Sequence, residues 1–198
     1  MQAALGTRVG PGPLEAMISA NIGQDGLAGL LREEFHFDGS QFAKSLAYLE
    51  TCRMAAAQAQ DPTQAWAAFG RLSHGAQDFY AHSNYVALWR KDHPGADVID
   101  GLDPAYLRHP DLISGKVYWP LEALWIVPAL RPWLRRTLPA DSHAAMNLDH
   151  PGTGPRFADA MRAAEQRTVV EFERTLALIG ETQGPAAMAA FLGRANHS

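Results

Sequence analysis

The sequence predicts an all-α fold, a compact single-domain helical bundle, and three observations carry that expectation. Apolar residues Leu72, Ala76, Phe79, Ala81, Val86 and Leu88 recur at roughly helical intervals, and no proline interrupts residues 63–93. A second run, residues 155–179, aligns Phe157, Met161, Ala164, Phe172, Leu176 and Ile179 on one face. A chain of 198 residues with 47% hydrophobic content is long enough to bury one substantial core, and it shows no internal repeat or linker.

Taken in order, Gly10-Pro11-Gly12-Pro13 is a breaker cluster that marks residues 1–13 as a flexible N-terminal arm ahead of a helical domain over 14–198. A helix over 14–32 carries Met17, Ile18, Ile22, Leu27, Leu30 and Leu31, with Asn21 and Asp25 sharing its polar side. Residues 35–40 break the helical period and end in turn formers, which reads as an extended loop with His36 and Asp38 on one side and Phe35 and Phe37 on the other. Ser40 is placed to cap a helix running to about residue 60. Asp61 and Pro62 then serve as N-cap and first residue of a helix to about residue 89. Residues 90–116 form a long loop without periodicity. Residues 118–138 are the most apolar, with Trp119, Trp125 and Trp133, and Pro128 and Pro132 must kink any helix there. Ser142 opens a short helical turn with His143 and Asn147 on one face and Asp149 just beyond, and Gly184-Pro185 sets off a short last helix ending near residue 194.

The chemistry concentrates on the helix that begins at Pro62. Residues four apart on a helix lie about 40° apart around the axis, so His74, Asp78 and His82 form one stripe. Eight residues rise about 12 Å, too far for a single ion with bonds near 2 Å to hold both histidines. Asp78 is therefore placed to bridge two ions, with His74 serving one and His82 the other. The plainer alternative is a central aspartate hydrogen-bonded to two histidines. His36, Asp38, His143 and Asp149 are the further candidate ligands, while Asn84 and Tyr85, one turn beyond His82, are candidates to line a substrate pocket.

The segment over residues 69–85, which includes Ser73-His74-Gly75-Ala76-Gln77-Asp78-Phe79-Tyr80-Ala81-His82, resembles the signature of the heterokaryon-incompatibility C (Het-C) family. Ala20-Asn21-Ile22-Gly23-Gln24-Asp25-Gly26, Glu34-Phe35-His36-Phe37-Asp38 and Ala145-Met146-Asn147-Leu148-Asp149 extend the resemblance. It implies a fold similar to zinc-dependent phospholipase C and P1-type nuclease. It also implies a zinc site holding one or two ions, other divalent metals being possible. Three residues rather than five separate Asp78 from His82, and no His-x3-Glu pair occurs, so a three-zinc site is not expected.

A net charge of −4 with mixed signs presents no basic face, so nucleic acid is an unlikely partner. The single cysteine, Cys52, permits no internal disulfide. No signal peptide is visible in residues 1–13, leaving a cytoplasmic protein or an exported one with its leader missing, and no run of 18 apolar residues occurs. Trp119, Trp125 and Trp133 beside Arg131, Arg135 and Arg136 suit peripheral contact with a phospholipid surface, core packing being the alternative, and Trp125 is a candidate substrate contact. The expected function is metal-dependent phosphodiester hydrolysis of phospholipid, with Asp25 or Asp38 as general base. The rival is a non-catalytic interaction or cell-death protein with a structural metal.

Overall fold

The structure is a computed structural model that describes residues 1–26 and 32–194, with Ala123, Trp125, Ile126 and Arg135 described by backbone alone. It is all-α: eleven helices and no strand occur among the described residues. They are α1 Gln2–Leu5, α2 Pro11–Ile22, α3 Glu33–His36, α4 Phe42–Gln58, α5 Pro62–His82, α6 Tyr85–Asp92, α7 Pro104–Leu107, α8 Arg131–Thr137, α9 His143–Met146, α10 Arg156–Gln183 and α11 Pro185–Phe191.

The centre of the bundle is α5, which packs against α2, α4 and α10. Asp61 caps it, accepting from Thr63 N at 2.9 Å, and Pro62 occupies the first turn, where no backbone donor is needed. From residue 68 to residue 83 every residue but Arg71 and Gln77 is buried. A helix enclosed on nearly every side belongs in the interior of the bundle. Phe69 meets Phe172 and Phe191 in edge-to-face contacts from α10 and α11, while Phe79 meets Phe37, Phe42, Tyr80 and Tyr85. Two charged ties hold α10 in place. The fully buried Glu171 carboxylate takes Arg167 at 2.6 Å and also Arg53 from α4, and Asp159 takes the Arg90 guanidinium from α6 through two nitrogens at 2.5 and 2.7 Å. Losing its arginine partners together would leave the buried Glu171 carboxylate uncompensated, a loss on the order of 3–5 kcal/mol.

Several local expectations give way to packing. Residues 1–13, expected as a flexible arm, carry α1 and the start of α2. Leu5 and Val9 are buried, and Gly10 N donates to Leu192 O at 2.9 Å. The helix expected over 14–32 ends at Ile22 with one 3-10 turn to Asp25, and Leu27, Leu30 and Leu31 lie outside the described residues. The stretch around His36 is not extended: α3 ends at His36, and Phe37 takes a left-handed conformation at φ 57°. Ser40 does not cap α4. It exchanges hydrogen bonds with Ser114 instead, Ser40 N to Ser114 Oγ at 2.8 Å and Ser114 N to Ser40 Oγ at 3.0 Å. The helix expected to reach residue 89 breaks at Ser83 and Asn84, where the chain turns into α6.

Two glycines let neighbouring backbones touch α5. A Cβ on Gly70 would stand 2.4 Å from Met17 O and 2.7 Å from Ala20 Cβ, and one on Gly75 would meet Phe35 O at 3.0 Å. Gly70→Ala is therefore expected to destabilise by about 1–3 kcal/mol, because the clash is with backbone that cannot rotate away. Gly12→Ala, at a position with nothing within 4 Å, should be neutral or stabilising. Thermal melts of the two variants test this, and a Gly70→Ala protein melting with the wild type would refute it.

Candidate metal centre

Four segments deliver imidazoles and carboxylates to one face of α5. His74 and Asp78, one turn apart, meet at 3.1 Å between Nε2 and Oδ2. The close approach of α3 at Gly75 puts His36 beside them, its Nδ1 2.9 Å from the same Asp78 oxygen and 3.1 Å from His74 Nε2. The 3-10 turn after α2 adds Asp25, whose Oδ1 stands 3.6 Å from His74 Nε2. Donor atoms of Asp25, His36 and His74 all lie within 4.8 Å of one another, a spacing that one cation could fill.

One turn further along α5 is a second group. His82 Nε2 lies 3.3 Å from Asp149 Oδ2, and the His82 ring stacks on that of His143 with centroids 4.0 Å apart. His143 Nδ1 in turn meets Asp38 Oδ1 at 2.7 Å. Asp38 is buried, and His82 Nδ1 is buried with no hydrogen-bond partner among the described residues.

Electrostatics follow from this packing. Burial pushes the Asp78 carboxyl upward, but hydrogen bonds with His36 and His74 and the field of His82 outweigh it and hold the group well below the usual carboxylate range. Burial lowers His82, yet its bond with Asp149 and the nearby Asp78 raise it to about 9. His36 is raised against burial by Asp78, and Asp149 is lowered against burial by His82. Asp25 moves the other way: desolvation raises it more than His74 lowers it.

The eight residues expected from the sequence to carry the chemistry, Asp25, His36, Asp38, His74, Asp78, His82, His143 and Asp149, thus fall into these two groups. Within hydrogen-bonding range, Asp78 meets His36 and His74, and the carboxylate that meets His82 is Asp149. A cavity of about 300 Å³ opens on Asp25, His74, Asp78, His82 and Asp149. Asn84 and Tyr85 do not line it. The Asn84 amide ties to Asp111 O and Ile113 N, and Tyr85 is fully buried with its hydroxyl donating to Asp100 O at 2.6 Å. The Trp125 side chain lies outside the described residues.

Three features had little signal in the sequence. Asn21 and Gln77 line the cavity as a polar wall, Asn21 Nδ2 donating to Gln77 Oε1 at 3.2 Å and Gln77 Nε2 to Thr168 Oγ1 at 2.9 Å. Glu122, a lone acid in the apolar stretch, is buried and accepts from Tyr118 N at 2.6 Å and Ala144 N at 2.7 Å, fixing the backbone beside His143. Residues 113–116, in the long loop, join three of the ligand segments. Gly115 N donates to His82 O at 2.8 Å, Gly39 N to Gly115 O at 2.7 Å and His143 N to Lys116 O at 3.0 Å.

A family model described as the VWA7 N-terminal domain matches residues 11–101, a little under half of the chain. That span contains the whole first group together with Asp38 and His82, but neither His143 nor Asp149. The match overturns the expected Het-C membership, and with it the relationship to phospholipase C and P1 nuclease. No curated protein and no solved structure matches the chain.

The raised His82 makes a prediction about metal-free protein. A histidine whose folded pKa lies above its unfolded value of about 6.5 contributes stability that is full below that pH and is lost as pH rises through about 9. With chelator present, the melting temperature should fall across this window, and His82→Gln should flatten the decline. Melts across pH test it, and an unchanged slope in the variant would remove His82 as the cause.

Proposed function

We propose that this protein is a divalent-metal-dependent phosphodiester hydrolase acting on phospholipid, with the two imidazole and carboxylate groups on α5 as its metal centre. The observation that carries the reading is the convergence of four histidines and four aspartates on one face of α5, five of which, Asp25, His74, Asp78, His82 and Asp149, line one cavity. Nitrogen and oxygen donors of this kind suit zinc, and a His82 Nδ1 with no hydrogen-bond partner among the described residues fits a group built to hold more than hydrogen bonds. A cation held there would supply positive charge for a phosphoryl oxygen and acidify water at the site.

The protein's own residues have separable tasks. His36, His74 and Asp78 bind, with His82 and Asp149 as the second binding set. Asp38 holds the His143 ring through Nδ1, the kind of outer partner that sets ring orientation. Asp25, although its carboxylate lies within 4.8 Å of the His36 and His74 donor atoms, is assigned the proton rather than the metal, because its side chain is 63% exposed at the cavity and its pKa is raised. The lipid part of the reading rests on residues 119–136. Trp119 is 68% and Trp133 51% exposed, Leu124 and Val127 are exposed beside them, and Arg136 adds charge. Amphipathic rings next to cations suit the headgroup level of a bilayer. No helix among the described residues is long and apolar enough to cross a membrane.

The burial of His36, His74 and Asp78 favours a second reading, a metal that only staples α3 to α5. Both readings expect purified, tag-free protein to carry a divalent metal and Asp78→Asn to lose metal and stability together, with affinity down at least about tenfold. Elemental analysis with a melting curve tests that, and unchanged metal content in the variant would end both. Only the hydrolase releases a phosphorylated head group from liposomes in a metal-dependent way, a release that Asp25→Asn should reduce at least tenfold without loss of metal. Bound metal without release would leave the staple. Trp119→Ala with Trp133→Ala should weaken liposome binding at unchanged melting temperature, and equal binding would detach these rings from the lipid.

A further inference from the structure

A second cavity, of about 190 Å³, shares no lining residue with the one at the metal centre. Its walls are mostly apolar, with Phe37, Phe42 and Phe79 set among aliphatic residues that include Leu46, Leu49 and Ala76. The three phenylalanine rings meet one another at tilted and edge-on angles, with centroids 5.4 to 6.4 Å apart. Leu46 is 49% exposed, so the cavity has an apolar residue open to solvent at its edge.

Two arginines share this lining, and they are not equivalent. Arg167 is committed to the buried Glu171, its Nε 2.6 Å from Oε1. Arg108, just beyond α7, is exposed, and its side chain makes no hydrogen bond or ion pair among the described residues. An unpaired guanidinium beside a pocket of phenyl rings combines a fork that matches a carboxylate with a slot that favours an apolar body. Size narrows the occupant further. A dry cavity of about 150 Å³ accepts benzene, so this one has room for a single ring or a short acyl tail and not for the paired chains of a phospholipid.

We propose that this cavity binds a small amphiphilic monoanion, one apolar ring or short acyl tail bearing a single carboxylate. The tail lies among Phe37, Phe42 and Phe79, and the carboxylate pairs with Arg108. The site is independent of the metal centre and stands whether or not the protein hydrolyses lipid.

Isothermal titration with 3-phenylpropionate and with hexanoate, each set against its neutral alcohol, tests it. The expected result is saturable one-to-one binding of at least one acid, at least tenfold tighter than its alcohol, and the better acid identifies ring or acyl tail as the natural body. Arg108→Gln should reduce the acid to the level of the alcohol at unchanged melting temperature, because the exposed side chain supports nothing else. Ala76→Leu should abolish binding of both by filling the cavity, and if that variant fails to fold, Leu46→Asp should weaken the acid at least tenfold through repulsion at the edge. Absence of saturable binding by either acid, equal binding of acid and alcohol, or an acid preference that survives Arg108→Gln would overturn the proposal.

Discussion

A carboxylate carried into the middle of a helical bundle is the constraint on which the rest of the structure depends. Asp78 sits on the most enclosed helix, where an ionised group without partners would cost several kcal/mol. His36 and His74 answer that cost at 2.9 and 3.1 Å, with His82 one turn away. Meeting the requirement brings α3 hard against α5, which is possible because residue 75 has no side chain. Once His36 is placed, the left-handed turn at Phe37 sends the ring into the core and leaves Asp38 to meet His143. One buried charge thereby accounts for the position of both groups.

The second group needs chain from far along the sequence, and it is delivered by backbone hydrogen bonding in a region without regular structure. Residues 113–116 bond to the end of α5, to the turn after Phe37 and to the start of α9, with isolated bridges pairing Ser83 with Ser114 and Lys116 with Ser142. The Glu122 carboxylate adds a tie from the Trp-rich stretch to Ala144. A loop that commits its peptide groups to three other segments is fixed in place by them.

Much of the fold was legible because period and punctuation agree. Asp61 and Pro62 mark the start of α5, Ser142 caps α9, and the apolar stripe of residues 155–179 lies within α10. The residues that converge were legible by type and spacing. Helical geometry gave the His74, Asp78 and His82 stripe but could not say which carboxylate each histidine would meet, since Asp149 arrives by tertiary contact. An extended chain would put His36 and Asp38 on one side, whereas α3 and a positive φ at Phe37 set their positions. Residues 113–116 were hard to read for a plain reason: most of their ties use peptide N–H and C=O groups that every non-proline residue possesses, with the Ser114 hydroxyl adding one bond, from Ser40 N. Tyr85 shows the opposite limit, since closeness to His82 in sequence placed it beside the site while burial of its ring turned it into the core.

The backbone stitching at residues 113–116 bears on how such a centre tolerates divergence. Ile113 and Lys116 contribute there through main-chain atoms, the first accepting from Asn84 N and the second from His143 N. A family of descendants could therefore exchange these side chains freely while keeping every ligand in register, with proline the substitution most plainly barred at positions that donate. Across sequences, positions 113 and 116 would then look uninformative, while Ser114, whose hydroxyl accepts from Ser40 N, and Gly115, where a Cβ would stand 2.6 Å from His143 Cα, would not.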